Sequence, residues 1–247
     1  YPYVLGIVFG YVGPPINLIA VVLAGLFFTF PANFLIHAVE DLFDFPLHSK
    51  NSIRSKQKII YVILYAMIAL TAGLALVINW YAWFGLIGFL LLAICYSAPP
   101  IRAKEYPILS NVFGARYIFP FIVGYGLVAD QFPPTQVVVA GIIWTMATLA
   151  FLSANSIDRD TKVHSATIAT LLGFRPTILL CFICYLLSCV LTFEWFGLFS
   201  VFSALLYCGL MTVALNAQVK KTVLKYFSII NASVLAALII WILLVVK

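Results

Sequence analysis

Apolar residues run along this chain in long uninterrupted stretches that are separated by short polar segments. Apolar stretches of about 20 residues are long enough to cross a bilayer as α-helices, and continuous runs lack the alternation of a membrane β-barrel. The pattern predicts an all-α integral membrane protein, a single domain over residues 1–247 with about nine transmembrane helices. The first run opens without Met, so we expect part of the first helix to be missing. The expected spans are Tyr1–Val12, Ile16–Val39, Ile59–Asn79, Ala82–Tyr96, Arg116–Val128, Gln136–Ser153, Pro176–Leu191, Gly197–Ala217 and Tyr226–Val246.

Composition and charge support this class and orient the chain. Hydrophobic residues make up 64% of the sequence and charged residues only 9%, which excludes an ordinary soluble domain. Thirteen of the fourteen basic residues fall in loops that the spans place on one side, and the opposite connections carry none. The positive-inside rule puts those loops in the cytoplasm, and we expect a prokaryotic plasma membrane. The net charge of +6 therefore reports topology and attraction to membrane lipids, and we expect no nucleic-acid partner.

A first group of acidic residues lies where the second span ends. Glu40, Asp41 and Asp44 follow Asn33 and His37 at spacings of three and four residues, so the five share one helical face. Asn33 and His37 alone would suit interhelical hydrogen bonds. Three carboxylates within five residues, however, repel one another unless a cation is present, and hard oxygen ligands at this density suit Mg²⁺.

Two further polar segments follow spans on the same side of the membrane. Asp158 and Asp160 come after the sixth span, and a proline-rich loop with Arg102 and Lys104 comes after the fourth. The two basic residues would also fit simple topology signals. Together with the acidic groups, they predict a site for a metal-bridged diphosphate at the cytoplasmic face.

The loop Tyr96-Ser97-x-Pro99-Pro100-x-Arg102-x-Lys104 resembles the corresponding motif of UbiA-type intramembrane prenyltransferases. Members of that family carry two aspartate-rich motifs, NDxxDxxxD and DxxxD, after helices two and six of a nine-helix bundle. The resemblance covers essentially the whole chain. The segments 33–44 and 169–173 look most similar to the carotenoid-modifying branch of the family, the lycopene elongases.

The resemblance implies an enzyme that transfers an isoprenoid chain, with Mg²⁺, from a prenyl diphosphate to a hydrophobic acceptor within the membrane. A carotenoid end group, a quinone-precursor ring and a lipid glycerol all remain open as acceptors. The implied catalytic residues are Asp44, Asp160, Tyr96, Arg102 and Lys104. The implied substrate-binding residues are Asn33, His37, Tyr96, Arg102 and Lys104. The implied metal ligands are Glu40, Asp41, Asp44, Asp158 and Asp160.

Three positions depart from the family's aspartate-rich motifs. Glu40 stands in place of the leading Asn, His48 in place of the last Asp of the first motif, and Ser156 in place of the first Asp of the second. The alternative hypothesis is therefore a catalytically impaired relative that binds or transports isoprenoids. A transporter is expected to carry ionisable groups near the middle of the membrane. Here the acidic residues lie at one face, which favours the enzyme.

Overall fold

A computed structural model describes residues 2–10, 18–29, 66, 69–70, 73–74, 77–162, 167–215, 233–234, 236–237 and 240. All regular secondary structure in this part of the chain is helical. The described residues form two compact units. We call Pro2–Ala103 with Phe119–Phe132 the N-terminal unit, and Lys104–Ile118 with Pro133–Lys247 the C-terminal unit.

The N-terminal unit contains four helices over its described residues. They are α1 (Pro2–Gly10), α2 (Leu18–Thr29), α3 (Trp80–Ser97) and α5 (Phe119–Ala129). Asn79 caps the start of α3, because its side chain accepts a hydrogen bond from the Ala82 N–H at 2.9 Å. The same side chain donates to the Gly126 carbonyl and to Asp130 Oδ1, at 2.5 and 3.0 Å. A single amide therefore ties the start of α3 to the end of α5.

Small residues allow these helices to pack closely. A Cβ on Gly6 of α1 would meet the backbone carbonyl of Phe121 on α5, and a Cβ on Gly124 would meet that of Tyr3. Helices inside a membrane gain little hydrophobic driving force from each other and associate through such close backbone packing. Larger rings, such as those of Phe27 and Phe89, fill the core beside this contact, and both are almost fully buried.

The C-terminal unit is built on two long antiparallel helices. It contains α4 (Pro107–Gly114), α6 (Thr135–Lys162), α7 (Ile168–Leu172), α8 (Phe174–Phe196) and α9 (Leu198–Leu215). Ser188 on α8 donates to the Ala140 carbonyl on α6 at 2.9 Å, and Trp195 donates to Gln136 at 3.2 Å. The end of α8 therefore lies beside the start of α6. Helix α9 packs on α8, where the rings of Tyr185 and Tyr207 stack 4.2 Å apart.

The helices of the described part include four that are long and apolar enough to cross a membrane. They are Trp80–Ser97, Pro107–Ala129, Thr135–Asp158 and Phe174–Phe196. Together with the absence of strands from the described residues, these spans confirm the predicted all-helical integral membrane fold. The spans expected at Ile59–Asn79 and Tyr226–Val246 lie mostly outside the described residues.

The fifth span begins earlier than the sequence pattern predicts. We expect it at Arg116, but the apolar helical segment already starts at Pro107, as α4, a short 3-10 helix (Ala115–Ile118) and α5 in succession. Pro120 explains the break, because proline lacks an N–H and its ring clashes with the carbonyl four residues earlier. Arg116, the expected first residue of this span and one of the thirteen basic residues counted with the loops, therefore lies inside the apolar segment, and its place in a basic loop was wrong.

Candidate active site

The first acidic group falls outside the residues that the structure describes. The residues concerned are the acidic Glu40, Asp41 and Asp44, the upstream Asn33 and His37, and the downstream His48. The candidate residues that the structure describes lie in two places, the loop after α3 and the C-terminal end of α6.

The loop after α3 is a tight turn. Helix α3 ends at Ser97, and the Ala98 N–H donates to the Ile94 carbonyl at 2.7 Å. The Pro99–Pro100 peptide bond is cis, and the Arg102 N–H donates back to the Ala98 carbonyl at 3.0 Å. A second short 3-10 helix, Ala103–Glu105, follows directly and contains Lys104. The backbone of the whole segment is thus defined by hydrogen bonds and proline rings.

Arg102 adopts an uncommon backbone conformation within this turn. Its φ is 43°, in the left-handed region that costs an L-residue roughly 1–2 kcal/mol. Such residues are concentrated at functional sites, where the surrounding structure holds them in place. The side chains of Arg102, of Tyr96 in the last turn of α3 and of Lys104 are all half-buried. Tyr96 and Arg102 belong to the N-terminal unit, and Lys104 is the first residue of the C-terminal unit.

The second acidic group lies on a helix rather than in the loop that the apolar pattern predicts. Helix α6 continues beyond the expected end at Ser153 and reaches Lys162. Asp158 and Asp160 are two residues apart on it, which separates their directions by roughly 200°. Asp160 is buried, with 6% of its surface exposed, whereas Asp158 is exposed. The helix therefore directs the two carboxylates to different faces.

Ser156 shares a face with Asp160 because the two residues are four positions apart. The Ser156 hydroxyl donates a hydrogen bond to Asp160 Oδ2 at 2.6 Å. This distance is typical of a hydroxyl bonded to an ionised carboxylate. Ser156, which stands in place of the first aspartate of the second family motif, is thus in direct contact with Asp160, the aspartate of that motif that remains.

Among the described residues no three His, Cys, Asp or Glu side chains lie close enough to share an ion. The first acidic group lies outside the described residues, so its role as a metal ligand stays a prediction. A buried carboxylate at the end of an apolar helix nevertheless has the chemistry that Mg²⁺ requires, namely a hard oxygen donor shielded from bulk water. Asp160 fits the expected metal in this respect, and Asp158 as a ligand stays a prediction.

Glu194 lies at the other end of the same helix pair. It precedes Trp195, whose indole N–H donates to Gln136 near the start of α6. Asp160 follows Gln136 by 24 residues along α6, a distance of roughly 36 Å at about 1.5 Å per residue. An exposed acid at this distance from Asp160 provides a natural comparison for experiments on the site.

Sequence reasoning missed the burial of Arg116. Only 4% of this side chain is exposed, and its guanidinium carbon lies 5.2 Å from the centre of the Tyr117 ring. The contacts of Gly114 with Leu149 and of Gly141 with Ile118 place the surrounding segment beside the middle of α6. The apolar residues on both sides of Arg116, together with Pro120, are the signal that would have identified it.

Similarity to known proteins is extensive. The chain matches the sequence model described as the UbiA prenyltransferase family over residues 1–243. A lycopene elongase/hydratase of Haloarcula japonica is 30% identical over 171 residues, which are 66% of this chain and 58% of that protein. The Halobacterium salinarum protein of the same name is 29% identical over 196 residues, covering 76% of this chain and 71% of its own. The match thus spans less than two thirds of the Haloarcula relative.

The fold is also that of a solved structure. A UbiA homolog from Archaeoglobus fulgidus, bound to GPP and Mg²⁺, superposes with a TM-score of 0.72. The superposition covers 98% of this chain and 93% of that chain, at 20% sequence identity. At this identity the similarity establishes the fold alone.

Proposed function

Because the chain belongs to the UbiA prenyltransferase family, we propose that it transfers an isoprenoid chain from a prenyl diphosphate to a hydrophobic acceptor within the membrane, with Mg²⁺. We further propose that the acceptor is the end group of a linear carotenoid. Support for this choice comes from relatives named lycopene elongase/hydratase and from the resemblance of residues 33–44 and 169–173 to the same branch.

The observation that carries the proposal is the burial of Asp160. A carboxylate with 6% of its surface exposed, at the end of a membrane helix, is costly to bury, and the Ser156 hydrogen bond at 2.6 Å offsets part of that cost. Position adds to the cost, because an anion in the last turn of a helix opposes the helix dipole. A divalent cation bound to Asp160 would offset both penalties.

The proposed mechanism assigns separate tasks to the residues of the site. Glu40, Asp41, Asp44 and Asp160 would hold the metal, which would supply positive charge to offset that of the leaving diphosphate. Arg102 and Lys104 bind that diphosphate, and their stabilisation increases as the C–O bond breaks and negative charge develops. Arg102 lies on a turn that its own N–H closes with a hydrogen bond to the Ala98 carbonyl, so little reorganisation of its backbone is needed during the reaction.

Formation of the allylic cation and of the new C–C bond takes place in apolar surroundings. The electron pair of the breaking C–O bond leaves with the diphosphate, and an allylic cation remains. The face of the Tyr96 ring stabilises this cation by roughly 0.5–2 kcal/mol. A double bond of the acceptor supplies the electron pair of the new C–C bond, and the resulting cation loses a proton. Exclusion of water by the membrane-embedded helices protects the allylic cation, and the carbocation formed after the new C–C bond, from reaction with water.

We propose the cytoplasmic face of a prokaryotic plasma membrane as the location of the site. The basic loops expected on one side of the membrane support this orientation through the positive-inside rule. Arg102 and Lys104 belong to one of those loops, and Asp160 precedes another.

Turnover by the purified full chain in liposomes tests the proposal. Radiolabelled prenyl diphosphates of several lengths would be supplied with Mg²⁺ and with lycopene, a quinone precursor or a lipid glycerol. We expect transfer to lycopene and its loss on addition of EDTA. Transfer only to another acceptor would refute the carotenoid assignment. Tight binding of prenyl diphosphate without any transfer would refute the enzyme and support the isoprenoid-binding alternative.

A matched pair of variants tests the role of Asp160. We expect Asp160→Asn to lower turnover by about 10²–10³-fold, the usual loss when one electrostatic contact of a transition state is removed. Glu194→Gln removes the same charge at the opposite end of the α6–α8 pair and should leave turnover intact. Equal losses in the two variants would indicate damage to the fold and would contradict a specific role for Asp160.

A further inference from the structure

The hydroxyl of Ser156 has two acceptors within reach but one proton to donate. Asp160 Oδ2 lies at 2.6 Å and the Ser153 carbonyl at 3.3 Å. The shorter contact is with the acceptor that carries a charge, and hydrogen bonds to ionised acceptors are roughly twice as strong as neutral ones. Ser156 therefore donates to the carboxylate, and the bond runs along the last two turns of α6.

This bond restricts the orientation of a buried side chain. An aspartate on a helix has several staggered rotamers available, and a hydroxyl one turn earlier selects the rotamer that brings Oδ2 towards it. A carboxylate has about four acceptor positions, and the Ser156 bond occupies one of them. The carboxylate thus remains able to bind a further group while its direction is held.

We infer that Ser156 is a positioning residue, which orients Asp160 toward the Mg²⁺-diphosphate of the substrate. The inference rests on the proposed function. In the family motif an aspartate occupies this position and adds a second negative charge, whereas Ser156 contributes a neutral donor. The site of this chain therefore holds its metal with fewer charges and depends more strongly on the direction of the remaining carboxylate.

Substitutions of Ser156 distinguish a positioning role from a merely structural one. Ser156→Ala removes the donor with little change of volume, whereas Ser156→Thr keeps a hydroxyl at the same place. Ser153→Ala is the matched control, because the Ser153 hydroxyl lies three residues earlier on α6 and donates only to the Ala150 carbonyl among the interactions described, at 2.8 Å. Its backbone carbonyl is unchanged by the substitution.

Equilibrium binding of radiolabelled inorganic pyrophosphate to the purified full chain, measured against Mg²⁺ concentration, tests the inference without turnover. We expect Ser156→Ala to raise the half-saturating Mg²⁺ concentration by roughly 10–100-fold, the usual effect of removing a group that orients a metal ligand. Ser156→Thr should recover most of the affinity, and Ser153→Ala should bind like the unmodified protein. Should Ser156→Ala not fold, Ser156→Cys, which retains only a weak donor, takes its place with a loss in the same direction.

Asp160→Asn distinguishes failure of the inference from failure of the proposed function. If Asp160→Asn abolishes Mg²⁺-dependent binding while Ser156→Ala binds normally, the positioning role is wrong and the metal site stands. An equal loss in Ser156→Thr and Ser156→Ala would also overturn the positioning role. If the unmodified chain binds pyrophosphate without any dependence on Mg²⁺, or Asp160→Asn changes nothing, the proposed function fails and the inference fails with it.

Discussion

Arg102 combines a left-handed backbone, with φ of 43°, and a side chain that we expect to bind diphosphate. Two substitutions separate these properties. Arg102→Ala and Arg102→Gly remove the same guanidinium, but only glycine adopts the left-handed conformation without a steric penalty. We expect the two variants to lose activity to the same extent and to differ in stability, with the glycine variant the more stable.

The size of the difference follows from two opposing contributions. Removing Cβ relieves roughly 1–2 kcal/mol of left-handed strain, and glycine increases the entropy of the unfolded chain by the equivalent of about 0.4–1 kcal/mol. The difference of the two ranges runs from about 0 to 1.6 kcal/mol, so the net expectation is an advantage for Arg102→Gly of about 0.8 kcal/mol over Arg102→Ala. For a chain of this length, that corresponds to a rise in Tm of roughly 1–4 °C.

Lys104 provides the matched control two residues later. It lies in the 3-10 helix Ala103–Glu105 and does not share the positive φ of Arg102. In such right-handed helical backbone, glycine is less stable than alanine by about 0.5–1 kcal/mol. The order of the alanine and glycine variants should therefore reverse between positions 102 and 104.

Unfolding of the full-length variants in one detergent, followed by heating or by titration with SDS, measures both pairs. The reasoning is refuted if Arg102→Ala is as stable as Arg102→Gly, or if glycine lowers stability equally at both positions. Prenyl transfer by the same preparations addresses the side chain. Normal turnover by Arg102→Gly would show that the guanidinium takes no part in the reaction.

Two further predictions concern helix packing and the distance between the two acidic groups. Gly124→Ala should destabilise the protein by about 1–3 kcal/mol, because the new Cβ meets the Tyr3 backbone. In the same unfolding assay Gly209→Ala should be neutral or slightly stabilising, because within the described part of the chain its Cβ would meet nothing within 4 Å beyond its own helix backbone. Asp44 and Asp160 should lie within about 15 Å of each other if one Mg²⁺-diphosphate cluster joins them, a distance that spin labels at cysteines replacing both residues can measure. A longer distance would exclude a shared metal site.

The class of the fold and the chemistry to look for follow from the amino-acid sequence. Apolar runs of about 20 residues can satisfy their backbone in lipid only as helices, so the spans at α3, α6 and α8 follow from composition and length. The loop from Tyr96 to Lys104 identified its family through residue types at fixed spacing. The length of an apolar run and the spacing of residue types in a loop are both local properties, so they can be predicted from one sequence.

Which side chains are buried depends on how the helices pack, and this is visible in the folded chain alone. Asp158 and Asp160 are equivalent in the sequence, but the helix continues through both, and its packing exposes one and buries the other. Arg116 looks like a loop cation until the segment from Pro107 packs along α6 and encloses it. The hydrogen bond from Ser156 to Asp160 likewise requires the helix to extend past its apolar part. The burial of Asp160 and of Arg116 depends on neighbours from distant parts of the chain, which periodicity along one segment does not specify. The Ser156–Asp160 bond is local, but it depends on where the helix ends, and the apolar pattern places that end too early.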